Sequence, residues 1–396
     1  YNILMATRSH SRFTDDIFCT PVPTATSIQV KTIDILRDEI FFSNHYEEYR
    51  KGLQAAEELN SKDLYENYSP NFENKNKLFI FELLNKKHTY LPSHNKSILI
   101  TRWKPFIPII ESNNQSTTEI KFQTDVFNYK SDGNSQQIQW YLNFANSDLF
   151  AYYGGPLLAQ DELQVLECVE LAALRQYFLQ AINTVGSHTV GSDAHNNKSV
   201  PTPILISNTE RVIDLDTKDI YGNAFAHANK EQLQHAFKLV EPPQVVNLIA
   251  IEAPSHSEGC YTYDQINYIL TNCYTGFKAA QILAHKTHEM NTYTTKSSHQ
   301  RPSRSETNTF RTVIHTGWWG CGAYGNNRQM MLITQMLAAY WAHIDEIIFH
   351  TQNNEHSNDI TKAQTTFQRL KNGHDVREVI EEIIKLNLEW EKSNNT

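Results

Sequence analysis

No run of 18 apolar residues occurs in this 396-residue chain, so no membrane-spanning helix is expected. A basic segment followed by an apolar core is missing from the start, so no signal peptide is expected. Positive charge is in deficit, with 35 Lys and Arg against 44 Asp and Glu, a net charge of −9. That balance argues against a general binder of nucleic acid or anionic membrane. Cysteine is sparse and scattered: Cys19, Cys168, Cys260, Cys273 and Cys321, an odd number with no C-x-x-C. A disulfide framework and a structural zinc site are therefore not expected, and a reducing compartment fits. His285 and His288 could share a helix face, but no H-E-x-x-H accompanies them, and no metal or other cofactor is expected.

What is present is enough apolar residue, 40%, for a sizeable core. Residues 31–66 read as helical, with Ile33, Leu36 and Ile40 on one face. Leu78-Phe79-Ile80-Phe81 and Ile98-Leu99-Ile100 read as strands, separated from their surroundings by Asn/Lys/Ser-rich stretches at 69–77 and 111–118. From about residue 137 apolar strand candidates recur at 138–145, 203–207, 245–251, 312–315 and 346–350, with helical patterns between most of them. Strands alternating with helices predict an α/β sheet covered on both faces. Asp214-x-Asp216 is explained by a half-exposed alternating strand. Segments 184–202, 291–309 (with Lys296, Arg301 and Arg304) and 352–360 read as mobile surface insertions. The tail from Val376 to Trp390 has the spacing of an amphipathic helix packed on the domain.

Glycine is scarce, 14 in all, yet Gly317, Gly320, Gly322 and Gly325 fall within nine residues. They follow the apolar Thr312-Val313-Ile314 and precede a periodic segment, which is the grammar of strand, tight loop and helix. Such a loop lets a ligand approach the backbone, and a helix N-terminus behind it favours phosphate. The spacing matches neither the P-loop nor the dinucleotide fingerprint, so a turn that merely packs remains open. A second feature is Phe144-Ala145-Asn146, then Gly154-Gly155 and Gln160-Asp161-Glu162 at a helix start. Adjacent acids there can simply complement the helix dipole. They can also divide roles, one ionised and one tuned for proton transfer.

Together these motifs resemble the poly(ADP-ribose) glycohydrolase family over roughly residues 120–351. Val246 to Ala253 resembles the family's central strand, and Asn272 to Phe277 the end of the helix after it. The resemblance implies a three-layer α/β/α macrodomain-like core with a mixed sheet, plus an N-terminal helical region and a C-terminal helix. The implied division is 1–95 accessory and mainly helical, 96–352 the core, and 353–396 a C-terminal helical extension. It implies ADP-ribose as ligand and an ADP-ribosyl hydrolase activity, with Glu162 as the catalytic glutamate, the last acid of the family's Gln-Glu-Glu motif, and Asp161 in place of that motif's first Glu. Asn146 and Gln160 fall at positions near the distal ribose. Gly320, Gly322, Ala323, Tyr324 and Gly325 fall at the diphosphate loop, where Asn326 replaces the family's second exit glycine. Gly154 and Gly155 are the glycines nearest the catalytic loop. Phe150-Ala151-Tyr152 stands where the family has three consecutive glycines, so the loop must take another path, and Tyr152 and Tyr153 would narrow the cleft. The family's tyrosine after the catalytic helix has no evident match, that stretch reading Tyr221-Gly222-Asn223-Ala224-Phe225. A secreted bacterial branch of the family resembles the chain further, implying release into a host cytoplasm and an ADP-ribosylated protein as partner, with ubiquitin modified at arginine as one candidate.

Overall fold

The computed structural model describes residues 31–42, 45–87, 90–93, 95–110, 117–127, 129, 136–194, 196–295 and 310–393. The expectations at Cys19, at 296–309 and at 111–116 lie outside them. Ten strands are described: β1 Leu53–Asn60, β2 Ser97–Trp103, β3 Glu119–Gln123, β4 Gln137–Phe144, β5 Val190–Ser192, β6 Ser199–Pro201, β7 Ile204–Leu215, β8 Phe237–Ile251, β9 Arg311–Gly317 and β10 Glu346–His350. The α-helices are α1 Ile33–Ile40, α2 Ser61–Asn67, α3 Lys75–Lys87, α4 Gln160–Glu167, α5 Val169–Gln180, α6 Ala224–His227, α7 Lys230–Ala236, α8 Tyr263–Thr295, α9 Arg328–Trp341, α10 Ser357–Leu370 and α11 Val376–Ile384.

Eight strands form one mixed sheet in the order β1-β2-β7-β8-β4-β9-β10-β3. From β8 to β3 the neighbours run parallel, and β1, β2, β7 and β8 pair antiparallel. Successive residues of the central strands serve opposite cores. Trp140 and Leu142 pack with Ile249, Ile251 and Ile314 under α8 and α9, whereas Tyr141 packs with Leu248 and Ala250 under α4 and α5. Strands buried on both faces need helices on both faces, which gives three layers. The α/β class and the strands expected from residue 137 onward are all present.

The N-terminal reading is corrected in two places. Residues 53–60, expected in a helix, are a strand paired with β2. A bulge between Leu53 and Ala55 lets Leu53 and Ala56, three apart, enter the same core, which mimics helical spacing. Leu78 to Phe81, expected as a strand, lies inside α3, with Ile80 and Leu84 buried and Leu78 exposed. A short apolar run does not discriminate helix from strand. The 95/96 division thus falls between two paired strands of one sheet. The tail is helical only to Ile384. Beyond it Leu386, Leu388 and Trp390 pack on the core as a non-helical strap. No helix among the described residues is long and apolar enough to cross a membrane.

Candidate active site

The site forms where two adjacent parallel strands, β4 and β9, end. Such a crevice at the carboxyl ends of strands is where open α/β sheets bind ligands. Here it is a cleft of about 550 Å³. Asn146, Gln160, Asp161 and Glu162 line one wall, and Gly320, Gly322, Ala323 and Tyr324 the other.

The acidic wall is built from the start of α4. Gln160 fastens it to the sheet: its Oε1 accepts the Phe144 N–H and its Nε2 donates to the Leu142 carbonyl, both at 2.8 Å. The side chain thus substitutes for a neighbouring strand. Asn143, fully buried, donates Nδ2 to Asp161 Oδ1 and to Gln164 Oε1, each at 2.9 Å. Glu162 Oε2 accepts the Ala159 N–H at 3.0 Å, satisfying a donor that the helix start leaves unpaired. Both acids are nearly covered, Asp161 at 8% and Glu162 at 5% exposure. Burial, and then the neighbouring Glu162 carboxylate, pushes Asp161 up to about 7. Burial also raises Glu162, opposed by the positive charge of Lys77. Burial thus favours the protonated form of both groups, most strongly for Asp161.

The glycine wall is a folded loop. Gly320 and Gly325 are left-handed, with φ of 72° and 71°. A Cβ on Gly320 would lie 2.5 Å from Ala253 Cβ, and one on Gly325 would lie 2.7 Å from the Glu391 carbonyl oxygen. Among the described residues, the N–H groups of Gly322, Ala323 and Tyr324 have no protein acceptor. Consecutive unpaired N–H groups make an anion-binding concavity. The helix behind the loop plays a different part from the one expected. Its cap, Asn327, accepts the Met330 N–H at 3.2 Å, and Glu391 from the tail accepts the Arg328 N–H at 3.1 Å. Protein oxygens thus take the N–H groups of Asn327, Arg328 and Met330 at the start of α9, and the loop itself supplies a run of free donors. The two walls meet where Asn146 Nδ2 donates to the Tyr324 hydroxyl at 3.1 Å. Burial, then Glu252, pushes that hydroxyl up to about 12, so it stays protonated.

Four of the expected site residues stand outside the cleft lining. Gly154 accepts the Asn74 N–H at 2.9 Å, and Gly155 closes a turn onto the Tyr152 carbonyl. Gly325 packs on the tail. Asn326 is fully buried and braces the loop, donating Nδ2 to the Pro254 carbonyl at 2.6 Å and to the Gly320 carbonyl at 3.1 Å. The loop carrying Phe150-Ala151-Tyr152 is a run of turns, with Ala151 N–H on Asp148 O, Tyr153 N–H on Phe150 O and Gly155 N–H on Tyr152 O. Phe150 takes the left-handed conformation, φ 60°, with its ring fully buried. Tyr152 lies in the cleft lining as expected. Tyr153 instead points away: its hydroxyl accepts from the Asn71 N–H at 3.0 Å and from Gln176 Nε2 at 2.7 Å.

Several cleft features escaped the sequence reading. Tyr221, in the stretch read as lacking the family tyrosine, lines the cleft beside Glu162, and burial pushes its hydroxyl up to about 12. Glu252, just after β8 near Tyr324 but outside the cleft lining, is pushed by burial up to about 7. Segment 184–202 is no free insertion, since Ser187 O accepts the Leu149 N–H and Thr189 N–H donates to Ser147 O. Asn353, Glu355 and His356 of the Asn-rich segment line the cleft. No His/Cys/Asp/Glu group suited to a metal occurs among the described residues. His285 instead stacks on His45 at 5.0 Å.

This arrangement, an acidic helix start facing a glycine loop across parallel strands of a three-layer sandwich, is that of a macrodomain. Residues 202–359 match the family model for poly(ADP-ribose) glycohydrolase, macro domain fold. Over that segment, less than half of its length, the chain is similar to the poly(ADP-ribose) glycohydrolase family. Among curated proteins none matches it. Solved structures similar to it include the poly(ADP-ribose) glycohydrolase of Deinococcus radiodurans in complex with ADP-ribose. One such structure is 14% identical, with 65% of this chain and 86% of that one covered and a TM-score of 0.31. Another is 13% identical, with 75% and 92% covered and a TM-score of 0.32. The apo form is 12% identical, with 64% and 81% covered and a TM-score of 0.30. At those scores the likeness to the family rests on the sequence match over residues 202–359.

Proposed function

We propose that this chain is an ADP-ribosyl hydrolase that cleaves the anomeric bond joining ADP-ribose to a protein. The observation that carries the reading is the buried Asp161–Glu162 pair facing the glycine loop across one cleft. Cleavage of that bond develops an oxocarbenium-like centre. Glu162, whose burial favours its protonated form, donates to the departing atom; as carboxylate it then activates water. The unpaired N–H groups at 322–324 take the diphosphate and fix the ribose against Glu162, so positioning supplies part of the rate. Asp161, held by Asn143, faces the ribose hydroxyls. Residues 1–95 and 353–396 act as accessory regions around the 96–352 core.

The preferred substrate is a mono-ADP-ribosylated protein. Tyr152 stands in the cleft lining, 62% exposed, and narrows the route a long polymer would need. Ubiquitin carrying ADP-ribose on an arginine is the candidate that the sequence resemblance supports within this class. A second reading, a module that binds ADP-ribose without turnover, is favoured by Phe150-Ala151-Tyr152 in place of glycines.

The test is release of free ADP-ribose from mono-ADP-ribosylated protein and from poly(ADP-ribose), followed by mass spectrometry. Release is expected, with Glu162→Gln lowering the rate by about 10²–10⁴ while calorimetric ADP-ribose binding persists. Binding by the wild-type protein without release would falsify the hydrolase and establish the reader. Equal turnover of long polymer would overturn the narrowed route.

A further inference from the structure

The residues behind the acid pair come from far upstream. Asn74 caps α3, its Oδ1 accepting the N–H groups of Asn76 at 2.9 Å and Lys77 at 3.3 Å. Its own N–H donates to Gly154 O at 2.9 Å. Asn76 Nδ2 donates to Phe225 O at 2.7 Å and Ala228 O at 3.0 Å, just beyond Tyr221. Between these anchors Lys77 runs inward. It is fully buried, and its Nζ donates to the Tyr153 carbonyl at 2.7 Å. Its ammonium interacts with both Glu162 and Asp161.

A buried charge is tolerated when an opposite charge balances it. The other cation facing this pair, Arg175, is committed to Asp148, with bonds of 2.6 and 2.8 Å from its two terminal nitrogens. Tyr221 and Tyr324, the remaining titratable neighbours, are held neutral by burial. Lys77 therefore balances one negative charge on the two carboxyls. One cation set against two carboxyls favours a pair that carries a single proton, the state from which general acid catalysis can start.

We propose that Lys77 is a positioning residue: its ammonium, carried in by the N-terminal segment, fixes the catalytic turn at Tyr153 and holds a single negative charge on the Asp161–Glu162 pair. This rests on the hydrolase reading for its consequence, but its test does not need turnover. In the full chain, ¹³C-carboxyl NMR titration of the pair, assigned with Glu162→Gln and Asp161→Asn, is compared with Lys77→Met. Loss of a buried cation that acts on the carboxylates through space is expected to raise their midpoint by about 1 pH unit. A folded Lys77→Met with an unchanged midpoint overturns the proposal. Should Lys77→Met fail to fold, the reciprocal measurement decides. Glu162→Gln should lower the ¹⁵N titration midpoint of the Lys77 ammonium, and an unmoved lysine overturns the proposal equally. Where the wild type hydrolyses, the kcat–pH profile of Lys77→Met should move in step with the carboxyls. A profile that only drops in height marks a purely structural lysine and counts against it. Absence of hydrolysis in the wild type overturns the activity alone, because both titrations are read without substrate.

Discussion

Asp161 gives the site a pH signature separable from activity. The folded protein holds its proton up to about 7, whereas an unfolded chain releases it near 3.9. The folded state therefore gains stability below about 4, and that gain is lost as pH rises through 7. Asp161→Asn keeps an acceptor for Asn143 and removes the ionisation. It should stabilise the protein above pH 7 by up to about 4 kcal/mol, at about 1.4 kcal/mol per pH unit, and change little at pH 4. Urea midpoints for both proteins at pH 4.5, 6 and 8 check this; a pH-independent difference refutes it. Phe150 is the second residue with a measurable tension, since its φ of 60° costs about 1–2 kcal/mol for any L side chain. The ring's burial holds it there. Phe150→Ala should lose about 3–5 kcal/mol. Phe150→Gly, which relieves the backbone, should lose about 0.5–1 kcal/mol less, reversing the usual order of Ala and Gly in unfolding experiments. The acids, Asn146, Gly320 and Gly322 were legible as cleft-lining residues because each sits in a short local motif. Lys77 was not, because its meaning comes from Tyr153, 76 positions away, and in its own neighbourhood it is one lysine in an Asn/Lys-rich stretch.

Among the elements, the strap after α11 bears most directly on the glycine loop. Glu391 N–H donates to Gly325 O at 2.9 Å, and Asn327 Nδ2 donates to Glu389 O at 3.0 Å. The Glu391 carboxylate also pairs with Arg328, and Trp390 stacks on Tyr261 at 4.6 Å. Deleting residues from Glu389 onward removes charge-assisted bonds worth about 1.5–3 kcal/mol each. ADP-ribose affinity should fall at least about tenfold by calorimetry, the equivalent of about 1.4 kcal/mol. An unchanged affinity would show that the loop holds its shape unaided. The strap was hidden in the sequence because Leu386, Leu388 and Trp390 continue the apolar rhythm of α11, and only Asn387, left-handed at φ 51°, marks where that helix ends. The expectation of a helix N-terminus serving the ligand failed for a related reason: the oxygen that fills it belongs to the far end of the chain.

For the whole molecule, the decisive fact is strand order. The family-matched segment, 202–359, contains β8 and β9, and these are not neighbours. β4, which lies outside that segment, is inserted between them. A fragment of residues 202–359 should therefore fail to fold, with weak circular dichroism and no cooperative thermal transition; a soluble, cooperative fragment refutes this. The same insertion sets a length. The acidic loop leaves β4 and the glycine loop leaves β9, so the two walls spring from strands hydrogen-bonded side by side, about 4.8 Å apart. The peptide ladder acts as the ruler of the cleft. Loop substitutions can change what the walls present to a substrate, but the gauge between their footings is fixed by backbone geometry that no side chain can alter.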